Sequence, residues 1–287
     1  MRLRPYLASL GWPRGMDFRA RLQRAKAYLV IMKNCVMSAL AYRGNFFFSL
    51  AGTVIYLVVA HFLWKAVYAN GGSIAGLDFS RAYLYVGISI SLVGIMATGA
   101  DWQLHNMVKD GEILSFLTKP LDFQAQFFAF ALGDGLVNCV AIGLPSLVLA
   151  FLLSGAGFPP LANLLLFVLA VAMSFLLSFL IDFLTGLSVF LTQSISGISM
   201  AKETTILVLS GALVPLPFYP KGVREVLEWL PFQALYNAPS RILADGALGV
   251  SEALPFLLKQ GAWLLVFSYL ARMCFSSALK KLVVNGG

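Results

Sequence analysis

Residues 161–191 read LANLLLFVLAVAMSFLLSFLIDFLTGLSVFL, a run in which Asp182 is the only charged side chain. About 20 apolar residues in a helix cross the hydrocarbon core of a bilayer, so this stretch predicts a transmembrane helix. Hydrophobic residues make up 59% and charged residues 12% of the 287-residue chain, whereas soluble proteins contain about 25% charged residues. The composition excludes an ordinary soluble enzyme and a disordered chain, and predicts an all-α integral membrane protein.

Six segments are predicted to span the membrane, within one transmembrane domain that covers residues 1–287. They lie at residues 45–67, 82–100, 123–153, 161–191, 194–216 and 254–278. Nine of the 21 Lys and Arg residues precede position 44. Because Lys and Arg accumulate in cytoplasmic loops, we expect a multi-pass protein of the plasma membrane with both termini in the cytoplasm.

Two segments are expected on the cytoplasmic side. Residues 16–42 alternate Arg and Lys with apolar side chains, which predicts a cationic helix along the inner leaflet; a solvated helix leading into the first span is the alternative. The second segment, at residues 101–123, reads DWQLHNMVKDGEILSFLTKPLDF. Gly111 predicts a turn and Pro120 a stop, with a short amphipathic helix between them. Its apolar side chains need a partner surface or rest on the lipid interface.

The segment at residues 217–251 is too polar to span but contains two short helical patterns. They lie at residues 223–230 and 233–243, with breaks expected at Pro231 and Pro239. Aromatic side chains of the kind that prefer membrane interfaces accompany them, namely Trp229, Phe232 and Tyr236. We expect helices that enter the outer leaflet and return.

Sequence motifs of catalysis are absent. There is no GxxxxGK[ST] phosphate-binding loop, no HExxH and no GxSxG, and His61 and His105 lie in different segments. The cysteines Cys35, Cys139 and Cys274 form no CxxC pair. We therefore expect no enzyme activity, no metal and no cofactor in this chain. The net charge of +8 favours anionic lipids rather than nucleic acid, because the basic residues precede a span.

Four charged side chains fall inside predicted spans, where charge is costly and marks functional sites. They are Asp134, Asp182, Lys202 and Glu203. Asp182 and Lys202 are nearly equidistant from the turn that joins the fourth and fifth spans, which predicts a buried ion pair with the other two near its level. The pair has either a functional role, as the lining of a cavity or as a conformational latch, or a structural one, in which it only neutralises itself between helices. Both interpretations stay open.

Three segments in order are similar to one membrane-protein family. They are AYRGNFFFSLAGTVIYLVVAHFLWKAVY at 41–68, KDGEILSFLTKPLDF at 109–123 and SGALVPLPFYPKGVREVLEWLPF at 210–232. The chain resembles the permease subunit of bacterial type-2 ABC exporters, a six-span family often encoded as adjacent permease pairs. The resemblance covers about residues 16–280.

The resemblance implies roles for the segments outside the spans. Residues 16–42 would be the connecting helix, residues 108–120 would include a coupling helix, and residues 217–246 would form a re-entrant hairpin. The residues implied in contact with an ATPase are Lys109, Asp110, Gly111, Glu112, Ile113, Leu114 and Phe116. Those implied in the outer hairpin are Pro215, Pro220, Trp229, Pro231 and Phe232.

The resemblance also implies partners. Two P-loop ABC ATPase subunits would hold ATP and Mg²⁺, and a second permease, identical or a paralogue, would complete the exporter within membrane lipids. The alternative function is an ion-coupled secondary transporter that uses Asp134 and Asp182. A membrane scaffold is a second alternative. No pattern in the sequence indicates the substrate.

Overall fold

The computed structural model describes residues 18–41, 43–192, 194–246 and 248–280, and the regular secondary structure of this part is helical. We number the α-helices in chain order. They are α1 (Phe18–Ala41), α2 (Arg43–Val67), α3 (Phe79–Met96), α4 (Ala100–Lys109), α5 (Ile113–Leu117), α6 (Phe123–Asn138), α7 (Leu144–Ser154), α8 (Leu161–Gly186), α9 (Ser196–Leu209), α10 (Lys221–Leu227), α11 (Gln233–Ala244) and α12 (Val250–Lys280).

Five helical segments are long and apolar enough to cross a membrane. They are Gly44–Val67, Phe79–Lys109, Phe123–Ser154, Leu161–Phe190 and Val250–Ala278. Each overlaps one of the six spans predicted from the sequence. The helical architecture is therefore confirmed, with five helices in the described part of the chain that could span a membrane.

The predicted span at 194–216 is not a long helix. Only α9 is helical there, and its 14 residues extend over about 21 Å, which is shorter than the hydrocarbon core of about 30 Å. Lys202 and Glu203 lower its hydropathy, and the chain turns at Gly211 with a φ of +82°, a backbone conformation that glycine adopts at helix ends. The sixth predicted span is therefore not confirmed by helix length, and it stays a prediction for this segment.

The second predicted span, at 82–100, continues farther than expected. Helix α3 ends at Met96, the chain breaks over three residues, and α4 extends to Lys109. Gly99 makes the break possible with a φ of +61°. The Ser178 hydroxyl donates to the Met96 carbonyl oxygen over 2.7 Å, so this buried backbone group keeps a partner. Asp101 therefore lies in a helix and not in the predicted loop.

Helix α1 packs along α6. Gly133 provides the close approach, because a Cβ atom at this position would lie 2.8 Å from both the Cys35 Cβ and the Met32 carbonyl oxygen. At the start of α6 the Asp122 backbone N–H donates to the Tyr28 hydroxyl over 3.0 Å. The amphipathic helix expected at 16–42 is observed as α1; residues 16, 17 and 42 lie outside the described residues. Its contact with the inner leaflet stays a prediction.

Helix α11 is a polar helix in the middle of apolar ones. Its Asn237 side-chain oxygen accepts from the Tyr85 hydroxyl of α3 over 3.0 Å, and its Ala234 carbonyl accepts from Gln260 of α12 over 2.8 Å. These bonds satisfy polar groups that would otherwise be costly to bury. The two short helices expected in this region correspond to α10 and α11. The break predicted at Pro239 is wrong, because α11 continues through this residue.

Candidate functional site

The ammonium group of Lys202 bridges two buried carboxylates. Lys202 Nζ lies 2.8 Å from Asp101 Oδ2 and 2.5 Å from Asp182 Oδ1. The three residues come from α9, α4 and α8 respectively. The two Asp residues are 2% and 6% exposed. Removing such charges from water is expensive, so each charge needs partners within the protein.

Hydroxyl and backbone donors complete this cluster. The Ser199 hydroxyl donates to Asp101 Oδ2 over 2.5 Å, and the Trp102 backbone N–H donates to Asp101 Oδ1 over 2.9 Å. The Thr98 hydroxyl donates to Asp182 Oδ2 over 2.6 Å. Each of the four carboxylate oxygens therefore accepts at least one hydrogen bond, which stabilises the ionised forms in the bundle.

The break between α3 and α4 builds one side of the cluster. It places Thr98 outside a helix, where its hydroxyl reaches Asp182. Asp101 follows in the first turn of α4, where the helix dipole favours a negative charge. On the facing helix α8, a Cβ atom at Gly186 would lie 2.9 Å from the Asp101 Cα. The glycine thus allows α4 to approach α8 closely enough for the ion pairs.

The structure brings together two of the four charges predicted inside the spans, Asp182 and Lys202. Glu203 is exposed next to them. Asp134 is exposed on α6 and has no ion pair among the described residues. It lies on the α1 side of the bundle, where burial, with a smaller contribution from the Asp134 charge, raises the pKa of Cys35 to about 11. The sequence predicts Asp134 near the level of this pair, and the structure places it on α6, outside the ion cluster.

Sequence reasoning missed Asp101, which completes the cluster. The residue was assigned to a cytoplasmic loop because apolar residues end near position 100. The Thr98-Gly99 pair between two helical patterns is the signal for a helix break. A break inside a membrane helix is tolerated where polar groups or a cavity satisfy the backbone, so it indicates polar residues nearby.

A cavity of about 600 Å³ lies beside the ion cluster. Its lining combines the charged residues Asp101, Asp182, Lys202 and Glu203 with Tyr236 of α11 and with apolar side chains, among them Met96 and Met200. The volume is in the range of about 300–1,000 Å³ that holds small-molecule ligands. The cavity is half-open, and its mostly apolar lining includes the ion cluster.

The segment implied in ATPase contact forms an exposed tip after α4. Lys109, Asp110, Gly111 and Glu112 are exposed, and helix α5 that follows has only five residues. Leu114 is 37% exposed, but Ile113 is 4% exposed.

Phe116 of α5 is half-buried, and its ring lies 6.0 Å from that of Phe130, centroid to centroid. Ile113 belongs to the chain's own hydrophobic core, and Phe116 packs against it and against α6, so both side chains attach α5 to the chain's own core. The contact of these residues with a partner stays a prediction, and Leu114 has a more exposed side chain than Ile113 or Phe116.

The residues implied in the outer hairpin surround α10 and α11. Pro215 lies at the turn after α9, Pro220 precedes α10, and Pro231 and Phe232 separate the two helices. Trp229 is 72% exposed. Its ring lies 5.0 Å from the Lys259 Nζ, a cation–π contact with α12.

Among residues 18–41, 43–192, 194–246 and 248–280, no three His, Cys, Asp or Glu side chains are grouped as metal ligands. The arrangement of the site is that of an ion-paired helix junction facing a cavity.

The sequence was compared with known families and proteins. The profile of a family described as "ABC-2 family transporter protein" matches residues 54–286. This match extends over all twelve helices except α1 and the beginning of α2. No curated protein matches the chain significantly.

Proposed function

The chain belongs to the family of ABC-2 transporter proteins and is a membrane permease of an ABC transporter, and we propose that it exports its substrate with energy from ATP held by separate subunits. The family match over residues 54–286 carries this proposal. The chain contains no phosphate-binding loop of its own, so ATP and Mg²⁺ belong to two partner ATPases.

The exposed tip after α4 is the proposed docking site for an ATPase. Lys109, Asp110 and Glu112 offer charges of both signs, Gly111 lets the chain turn, and Leu114 offers an apolar contact. A polar rim around an apolar contact is the usual composition of a protein–protein interface. Phe116 packs on α6 and Ile113 is buried in the core, so a push on the tip is passed to the helices behind it.

Helix α4 connects this tip to the ion cluster. Its last residue is Lys109, at the start of the tip, and its first turn contains Asp101, which binds Lys202 of α9. In the proposed mechanism, ATP-driven closure of the ATPases displaces the tip. Helix α4 carries the displacement to α8 and α9, and the cavity opens to the outside. ATP drives this change through its different affinities for the two states.

The proposal includes the membrane arrangement. Helix α9 and the turn after it form the sixth membrane segment, and α10 with α11 form a re-entrant hairpin that closes the outer side. Both termini are cytoplasmic in a bacterial plasma membrane, and α1 lies on the inner leaflet. A second permease, a copy or a paralogue, binds through the exposed apolar side chains of α9, among them Val208, which is 43% exposed.

Ion-coupled transport through Asp134 and Asp182 is the competing function. The two carboxylates have different surroundings, since Asp182 is bound by Lys202 and Thr98 while Asp134 is exposed on α6. An ion path through both would have to leave the cavity and cross α6. The geometry therefore favours the ATP-driven mechanism.

Co-purification tests the proposed function. The tagged chain is isolated from its native membrane in mild detergent, and the bound proteins are identified. We expect a stoichiometric P-loop ATPase, and its loss in the Glu112→Arg/Leu114→Asp variant. Glu252→Arg, at the exposed start of α12, is the matched control and should retain the ATPase. A wild-type complex without an ATPase would refute the proposal.

A further inference from the structure

The cavity beside the ion cluster has features that select a class of ligand. Its wall carries three carboxyl groups and one ammonium group, those of Asp101, Asp182, Glu203 and Lys202. Lys202 is engaged by the first two, and Glu203 makes no ion pair or hydrogen bond among the described residues. We propose that this cavity binds amphipathic molecules whose polar end is a protonated amine.

The charge balance carries the first step of this inference. With ionised side chains the wall has an excess of negative charge, and the mostly apolar lining of the cavity strengthens interactions between charges. A cation placed near Glu203 reduces this excess of negative charge, whereas an anionic group would be repelled by it. Lys202 offers an anion little attraction, because its ammonium group already lies within hydrogen-bond distance of two carboxylates.

Tyr236 supplies an independent observation. Its side chain lines the cavity although the residue is only 7% exposed, and its hydroxyl has no hydrogen-bond partner among the described residues. Because Tyr236 lines the cavity, a ligand held there can supply a hydrogen-bond partner for this hydroxyl. The hydroxyl oxygen can accept from an ammonium N–H.

The remaining wall fits an apolar body. Trp102, Met96, Met200 and Leu207 line the chamber, and aromatic and methionine side chains adapt to flat or irregular apolar groups. The volume of about 600 Å³ holds a molecule of drug size. The inferred ligand thus has an aromatic or alkyl body and one amine end.

The probe is dansylcadaverine, a fluorescent aromatic body with a primary ammonium group. Its N-acetyl derivative is the neutral comparison, and dansyl-6-aminohexanoate is the anionic one. Binding to the purified full-length chain in lipid nanodiscs is measured by energy transfer from tryptophan to the dansyl group, and the Trp102→Phe variant isolates the contribution from the cavity. We expect the cation to bind at least about tenfold more tightly than either comparison, as for a charge-assisted hydrogen bond.

Two variants remove the proposed contacts. Glu203→Gln should weaken cation binding about tenfold, and Tyr236→Phe about fivefold. Glu225→Gln, the same substitution at an exposed position of α10, should leave the affinity unchanged. Equal affinity for the three probes, or unchanged affinity in both cavity variants, would overturn the inference.

The inference deepens the proposed function, because the cavity is also the proposed transport chamber, but the two fail separately. Probe binding uses the permease alone and does not require an ATPase. Loss of the ATPase from the purified complex would refute the transport mechanism and leave the binding result intact. An intact complex that does not discriminate between the probes would refute only the ligand class.

Discussion

Lys202 and Asp101 form an ion pair of 2.8 Å that joins α9 to α4. Asp101 lies in the first turn of α4, and the other end of this ten-residue helix leads directly into the exposed tip. The ion pair therefore lies at the inner end of a short rigid connection between the surface and the cavity. In the proposed mechanism, one helix, α4, carries a movement of the tip to Lys202.

The first prediction concerns the shared ammonium group. Lys202→Met keeps the length of the side chain but leaves two carboxylates facing each other without a cation. We expect a loss of about 3–5 kcal/mol in the free energy of unfolding, the usual cost of breaking a buried ion pair. The measurement is thermal unfolding of the purified chain in detergent.

A second substitution separates charge from packing in this test. Lys202→Met combined with Asp182→Asn has one carboxylate fewer and should recover part of the lost stability. Lys221→Met, at the exposed start of α10, is the matched control and should unfold like wild type. If Lys202→Met also unfolds like wild type, the cluster does not stabilise the fold.

The second prediction concerns the contact between α4 and α8. Gly186→Ala places a Cβ atom 2.9 Å from the Asp101 Cα, so the helices must separate. We expect a destabilisation of about 1–3 kcal/mol, typical of overpacking, and weaker coupling of ATP hydrolysis to transport. Gly197→Ala is the control, because nothing lies within 4 Å of a Cβ atom there. Equal unfolding temperatures of the two variants would contradict the contact.

Much of this site could be predicted from the sequence. The equal distance of Asp182 and Lys202 from one turn places them at the same depth, and their contact is present in the structure. Hydropathy alone does not predict Asp101 in the site, because its burial depends on the backbone break at Ala97–Gly99, which only the Thr98-Gly99 pair signals in the sequence. The break is stabilised by a hydrogen bond from Ser178 of α8 to the Met96 carbonyl oxygen. The hydropathy of the sequence contains no information about this contact.

The fold was predicted to a similar extent. Long apolar runs determine the five long helices, since only about 20 such residues are needed for a span. The length of α9 was overestimated, because the apolar residues after Gly211 extend the run although they belong to a turn. The inward packing of Phe116 was also missed. In a five-residue helix, periodicity does not tell a side chain that faces a partner from one that faces the protein's own core.

The third prediction uses Cys35 to report the packing of α1 on α6. The pKa of its thiol is raised from 9.0 to about 11, and only the thiolate reacts with maleimide. Labelling of wild type at pH 8 should therefore be slow and should accelerate as the pH rises towards 11. The experiment uses a chain in which Cys139 and Cys274 are replaced by alanine.

Gly133→Leu should release this packing. The new side chain collides with Cys35 and the Met32 carbonyl, so α1 separates from α6 and the thiol pKa falls towards 9.0. Labelling at pH 8 should then accelerate by up to about a hundredfold, the ratio of thiolate fractions for a two-unit change in pKa. Gly52→Leu has open space around it and should label like wild type. Slow labelling of Gly133→Leu would disprove the close packing.

The fourth prediction distinguishes the two kinds of apolar residue in α5. Leu114→Ala should weaken ATPase binding without lowering the unfolding temperature, because the side chain is exposed. Ile113→Ala should lower the unfolding temperature, with a cost of about 2–4 kcal/mol for a buried truncation. Binding is measured by pull-down of the purified ATPase and stability by thermal unfolding. If Leu114→Ala lowers the unfolding temperature and Ile113→Ala weakens ATPase binding, the proposed roles of the two residues are wrong.

The most direct test of the central claim is a distance measurement within the assembled transporter. Spin labels at Lys109→Cys and Ile198→Cys, in a background without native cysteines, report the separation of the tip and α9. With the partner ATPase bound, we predict that ATP and vanadate shift the distance distribution, and that an ion gradient alone does not. A distance distribution that does not change with nucleotide but changes with an imposed ion gradient would contradict ATP-driven coupling through α4.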